Sequence, residues 1–162
     1  MTWTQVPTTW GTFVAGWEGE KLTRLLFPNG ATAGGVPAWG GLSRSPSLAS
    51  QLEAYFLGTR REFTVCLHLR GTPFQLQVWQ ELMRVPFGRV VTYGELARRV
   101  GRPNGARATG GAIGANPIPI IIPCHRVIGA GGRLGGFGAG LRWKRLLLTL
   151  EGMEGDSPQS CK

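Results

Sequence analysis

Glycine decides most about what this chain can become. It supplies 26 of the 162 residues, about 16% where soluble domains average ~7%, and it is clustered. Seven glycines fall within 129–140, and Gly110, Gly111 and Gly114 sit in a stretch, 106–115, that otherwise favours helix. Each glycine in a helix costs ~1 kcal/mol against alanine. A helix that keeps three of them, with Ala106, Ala108 and Ala112 as further small positions, makes sense where another body must approach its backbone closely. Arg107 is then its one long charged side chain.

Charge points to what that body is. Eighteen Lys and Arg against nine Asp and Glu give a net +9, while charged residues total only 17% and hydrophobic ones 42%. That balance describes a folded chain rather than a disordered one. Residues 1–70 carry six basic and four acidic groups, whereas 71–150 carry eleven basic groups against Glu81 and Glu95 alone. So concentrated a positive segment attracts a polyanion, and DNA is the commonest in the cytoplasm. No run of 18 apolar residues occurs, so neither a membrane span nor a membrane partner is expected, and Met1–Trp17 has no signal-peptide pattern. Three cysteines without framework spacing (Cys66, Cys124, Cys161) suggest a reducing, cytoplasmic location. With only His68 and His125 beside them, no structural metal site is expected.

Periodicity divides the chain into an N-terminal α/β domain, 1–70, with a small antiparallel sheet plus a helix; a mainly helical C-terminal domain, 71–152; and a polar tail, 153–162, expected to be disordered. In the first, Thr12–Trp17 and Lys21–Phe27 predict a hairpin around Gly19, and 28–46 a long connection. Ser47 predicts the cap of a helix to Leu57, with Leu48, Leu52, Tyr55 and Phe56 on one face and Gly58 as its stop. Alternation over Glu62–Arg70 predicts a half-buried strand. In the second, Thr72 caps a helix with Pro73 at its first position and Phe74, Val78, Trp79 and Leu82 as its stripe. Thr92 and Glu95 predict a capping box opening a short helix over 93–100. After the turn at Arg102-Pro103-Asn104-Gly105 comes the glycine-bearing helix, and the pair predicts a helix-turn-helix. A last amphipathic helix is expected over 141–151.

One dipeptide carries chemistry. Cys124-His125 follows the apolar, proline-bounded run from Ile118 to Pro123. A cysteine is among the strongest nucleophiles in proteins when a neighbour stabilises its thiolate or takes its proton. The same dipeptide could be an inert, half-buried thiol, but its place between a basic helix-turn-helix and a glycine-rich loop favours reactivity.

Taken together, Tyr93-Gly-Glu-Leu-Ala, Arg107-Ala-Thr-Gly-Gly-Ala, Asn116-Pro-Ile-Pro-Ile-Ile-Ile-Pro-Cys124-His-Arg-Val, Gly135-Gly-Phe and the stretch Lys144 to Glu151 resemble the O6-alkylguanine-DNA alkyltransferase family. The resemblance covers about 72–152; before that it is an outline only, through the Leu52–Arg60 helix and its Tyr-Phe pair. It implies an enzyme that transfers an alkyl group, typically methyl, from O6 of guanine in double-stranded DNA to its own Cys124. It implies a single turnover, a monomer and no cofactor. It gives Cys124 the role of acceptor, His125 that of a base acting through a water, and Glu151 that of the carboxylate orienting it. Asn116 matches the hinge, Tyr93 the proton donor to the departing guanine, and Lys144 a group stabilising developing charge. Arg107 matches the finger that fills the stack after base flipping. Ala106, Ala108, Gly110 and Tyr93 would meet the DNA, and Val127, Phe137 and Gly138 the flipped base. Phe137 departs from relatives that have a tyrosine there, and the zinc ligands of some relatives have no counterparts. On this footing the sulfur is expected to be held as a thiolate at the mouth of a purine-sized pocket.

The residues also define rivals. A non-catalytic lesion-recognition protein would lack the acceptor cysteine, a helix-turn-helix transcription regulator would bind an operator sequence, and a cysteine hydrolase would need an Asn or Asp to orient its histidine.

Overall fold

The structure, a computed structural model, describes residues 1–28, 43–44 and 46–152. Most of the expected connection over 28–46 and the expected disordered tail, 153–162, lie outside the described residues. The chain divides into two compact units, Met1–Arg70 and a second beginning at Gly71.

The first unit is built on a sheet of order β3-β2-β1-β4. Strands β1 (Thr2–Thr8), β2 (Gly11–Glu18) and β3 (Lys21–Leu26) pair antiparallel in sequence, and the two-residue β4 (Ser43–Arg44) joins β1 in parallel. The hairpin around Gly19 forms where the alternation predicts it. Strand β2 has neighbours on both sides and buries Phe13, Val14 and Ala15 in succession. Helix α1 (Pro46–Phe56) brings Leu48, Leu52, Tyr55 and Phe56 into the core, and Trp10 stacks on Phe56 with centroids 4.4 Å apart. It starts at Pro46, so Ser47 lies inside the first turn instead of capping it.

Segment 62–70 departs from expectation. Its exposure does alternate, with Phe63, Val65, Leu67 and Leu69 more covered than Thr64, Cys66 and Arg70. Yet among the described residues it forms one bridge only, Leu22 with Leu67, through hydrogen bonds from Leu22 N–H to the Cys66 carbonyl and from His68 N–H to the Leu22 carbonyl. Side chains claim other backbone groups: Gln51 Oε1 accepts from Thr64 N–H at 2.9 Å, and Arg60 Nε donates to the Glu62 carbonyl at 2.6 Å. A ladder needs those groups unengaged.

The second unit opens with α2 (Pro73–Met83), whose N-terminus carries a complete reciprocal box between Thr72 and Gln75 and a proline at its start. Strand β5 (Val91–Thr92) leads directly into α3 (Tyr93–Arg99), where Thr92 Oγ1 accepts from Glu95 N–H at 3.1 Å; among the described residues this is the one half of the expected capping box that forms, with no return bond from Glu95. Helix α4 (Ala106–Gly114) packs on both α2 and α3, and Trp79 Nε1 donates to the Ala112 carbonyl at 2.8 Å. A 3₁₀ turn at Cys124–Arg126 then runs into β6 (Val127–Ile128), which pairs in parallel with β5. Helix α5 (Leu141–Leu150) closes the unit, burying Lys144, Leu147 and Leu148 and leaving Leu146 largely outside. No helix among the described residues is long and apolar enough to cross a membrane.

Candidate active site

Three short elements of the second unit converge on Cys124. The chain leaves α4 at Asn116, whose side chain accepts from Ile118 N–H at 2.9 Å and donates to the Ile122 carbonyl at 2.8 Å. That pair of bonds ties both ends of the proline-rich turn. Within the turn Ile120 is buried at φ +74°, a left-handed conformation that costs a β-branched residue of order 1–3 kcal/mol. Cys124 N–H then bonds the Ile122 carbonyl at 2.7 Å and opens the 3₁₀ turn. The thiol is only 8% exposed.

Burial pushes that thiol up to about 11, against the opposing pull of a hydrogen bond from Asn116 and the charge of Lys144. Burial thus favours the protonated thiol over the standing thiolate expected from the sequence, because removing the sulfur from water outweighs what Asn116 and Lys144 return.

The means lies next in the chain. His125 is fully buried, and its Nε2 is 2.7 Å from Glu151 Oε2, at the C-terminal cap of α5. Burial would raise the Glu151 carboxyl, but hydrogen bonds and charge from His125 and Arg126 override it and hold it well below the usual carboxylate range. An ionised carboxylate only accepts, so the imidazole proton belongs on Nε2. Burial also lowers His125 below the ordinary imidazole value, outweighing the upward pull of Glu151. The result is a neutral ring whose Nδ1 has no hydrogen-bond partner among the described residues. A buried imidazole with one bare nitrogen, on the residue that follows a buried cysteine in the chain, has the form a general base requires.

Lys144 is buried on α5, and its Nζ donates to the carbonyls of Val127, at 2.6 Å, and of Leu134 and Gly136. It thus ties the glycine-rich loop to the strand that follows the cysteine. Burial pulls its ammonium down to about 8, an effect that ionisation of the Cys124 sulfur opposes. Tyr93, the first residue of α3, grips the same loop from the other side. A Cβ at Gly135, where φ is +70°, would sit 2.8 Å from the Tyr93 hydroxyl oxygen. Burial raises the Tyr93 phenol, as does the sulfur's charge, while a hydrogen bond from the Gly136 backbone acts the other way. That oxygen is an acceptor within the fold, which leaves its proton available to a substrate.

The remaining expected residues are distributed around this centre. Val127 is buried in β6, Phe137 is half-buried and Gly138 is exposed. On α4, Ala106, Arg107 and Ala108 are exposed, whereas Gly110 faces inward with Tyr93 ring carbons 3.7 Å from where its Cβ would be. Gly111 and Gly114 are exposed, and nothing in the fold lies within 4 Å of a Cβ built on either. One buried residue escaped the sequence reading. Arg126 donates from Nε and Nη2 to the two oxygens of Glu151, at 2.8 and 2.9 Å, and from Nη1 to the Val85 carbonyl at 2.6 Å. Its place directly after Cys-His was the available signal. Among the described residues, no group of three or more His, Cys, Asp or Glu is placed to hold a metal ion.

Comparison with known proteins follows the same outline. A family model, the 6-O-methylguanine DNA methyltransferase DNA-binding domain, matches residues 73–153. Over 145 residues the chain is 45% identical to a methylated-DNA–protein-cysteine methyltransferase of Mycobacterium leprae, covering 87% of this chain and 86% of that protein. It is 56% identical over 101 residues to the protein of the same name from Mycobacterium tuberculosis, a stretch covering 62% of this chain and 61% of the relative, under two-thirds of its length. Among solved structures, Mycobacterium tuberculosis OGT in complex with DNA superposes with a TM-score of 0.82 at 40% identity, over 93% of this chain and 92% of that one. The O6-methylguanine-DNA methyltransferase of Pyrococcus kodakaraensis gives 0.67 at 25% identity, over 88% and 92%.

Proposed function

The chain belongs to the 6-O-methylguanine DNA methyltransferase family, and from that premise we propose that it repairs DNA by direct reversal, moving an alkyl group from O6 of guanine onto Cys124. The observation that carries this reading is the bare, buried Nδ1 of His125, the residue that follows the buried Cys124, with Glu151 fixing the opposite nitrogen as donor. His125 takes the thiol proton through a water as the sulfur attacks the alkyl carbon. The carbon–oxygen bond breaks, its electron pair returns to guanine, and Tyr93 donates a proton to the departing base. A thioether remains. Because a thioether is a poor leaving group, each molecule acts once.

The base must leave the stack before a buried sulfur can reach it, at a cost of a few kcal/mol. We read α3 and α4 as a helix-turn-helix that lays α4 in the minor groove, whose degenerate code suits repair in any sequence. The exposed Gly111 and Gly114 support this, since no neighbour inside the fold requires glycine there. Arg107 enters the gap left by the flipped base. Arg98, Arg99 and Arg102, all exposed, hold phosphates. Lys144 acts mainly by positioning the loop that carries Phe137 and Gly138, and its charge also favours the departing thiol proton. All these groups lie in one chain, so a monomer suffices, and a reducing cytoplasm keeps the acceptor usable.

The test is stoichiometric. With excess duplex containing O6-methylguanine, transfer should stop at one methyl per protein, and Cys124→Ala should transfer none while still binding the duplex. Continued turnover would indicate a hydrolase, and sequence-restricted binding without transfer a regulator.

A further inference from the structure

Arg126 has no part in the steps above, yet it is buried and meets both oxygens of Glu151. We propose that Arg126 is a positioning residue for alkyl transfer: it grips Glu151 so that His125 holds its proton on Nε2 and keeps Nδ1 bare. The inference rests on the reading of His125 as the base.

The geometry carries it. Glu151 Oε1 accepts from Arg126 Nε at 2.8 Å and from Gly88 N–H at 3.2 Å, while Oε2 accepts from Arg126 Nη2 at 2.9 Å and His125 Nε2 at 2.7 Å. The fork sets the carboxylate plane, and the bond from Nη1 to the Val85 carbonyl anchors the fork in the segment after α2. A guanidinium does not lose its proton in a protein, so Glu151 is held as an acceptor and the imidazole must donate. The same cation sits beside the ring as a fixed positive charge. Burial is the largest influence on His125 and lowers it; the charges that act on the ring are Glu151 and Lys144, from α5 and its cap, and Arg126 from its own turn. Arg126 and Lys144 oppose a charged imidazole and Glu151 favours it. Arg126 therefore fixes the tautomer and adds to burial in keeping the ring neutral.

The experiment measures single-turnover transfer from O6-methylguanine duplex against pH for the full chain, Arg126→Met and Arg126→Lys, alongside ¹⁵N NMR of the His125 ring. Arg126→Met should be slower by on the order of tenfold, as when a partner that orients a catalytic ligand is lost. Its acid limb should move to higher pH by about 1, because a cation has left the imidazole's side, and its ring nitrogens should report mixed tautomers. Arg126→Lys should restore most of the acid limb, since the charge returns without the fork. Should Arg126→Met not fold, Arg126→Gln carries the same two readouts. An unchanged acid limb and an unchanged Nε2–H signature in a folded variant lacking the cation would overturn the proposal. The NMR readout is independent of alkyl transfer, so failure of Arg126 is distinguishable from failure of the repair reading.

Discussion

At the level of single residues, burial sets the state of Cys124. A cysteine 8% exposed, with its thiol pushed up to about 11, is a poor target for ordinary electrophiles. Iodoacetamide at neutral pH should therefore label the exposed Cys66 well before Cys124, with Cys124 labelling rising steeply as pH approaches 11; peptide mass mapping separates the two. Faster labelling of Cys124 at neutral pH would mean that the thiolate is present at rest. Much of this site was legible beforehand. Cys124, His125, Asn116, Tyr93, Lys144 and Glu151 are distinctive as a set, and the fold gathers all of them in one unit. The protonation state of the sulfur was not legible, because a pKa depends on burial and on three-dimensional neighbours rather than on spacing. The role of Arg126 was not legible, because an arginine in a basic segment looks like any surface cation until its carboxylate partner, 25 residues on, is seen.

Elements repeat the contrast between local and distant causes. Caps and stripes are local, so α2, α3 and α4 begin at Thr72, Thr92 and Gly105 much as their residues predict. Strand β1 and the failed strand at 62–70 are distant matters. Pro7 lacks a ladder donor and weakens the pattern of β1, which forms because β2 and β4 flank it. Segment 62–70 has the right alternation, but its hydrogen-bonding groups go to side chains. Helix α4 gives the sharpest prediction at this scale. A Cβ at the exposed Gly111 has nothing in the fold within 4 Å, so Gly111→Leu, which removes a helix glycine, should stabilise folding by about 0.5–1 kcal/mol in urea titrations. The same change should weaken duplex binding, measured by fluorescence anisotropy, at least as much as Arg107→Ala does. Undiminished binding would remove α4 from the interface. Gly135→Ala should act differently, slowing transfer by pushing against the Tyr93 hydroxyl while leaving duplex binding intact.

At the scale of the whole molecule, the buried His125 ties stability to pH. His125 has a folded pKa below its ordinary 6.5, so the unfolded chain binds the extra proton as pH drops beneath that value. Its contribution is full above pH 6.5 and is lost as pH falls toward the folded value, at up to about 1.4 kcal/mol per pH step for each proton. Glu151, also lowered in the fold, adds loss in the same direction below 4.5. Urea midpoints should therefore fall progressively from pH 6.5 downward, and a flat profile to about pH 5 would show that His125 is not buried neutral. The basic charge of residues 71–150 has a parallel consequence: duplex affinity should drop steeply with salt while transfer from free O6-methylguanine changes little. The most direct measurement is peptide mass mapping after reaction with duplex O6-methylguanine. One methyl on the peptide carrying Cys124, with Cys66 and Cys161 unmodified, is the predicted result; a methyl on either of the other cysteines, or none on Cys124 in protein that binds the duplex, would contradict it.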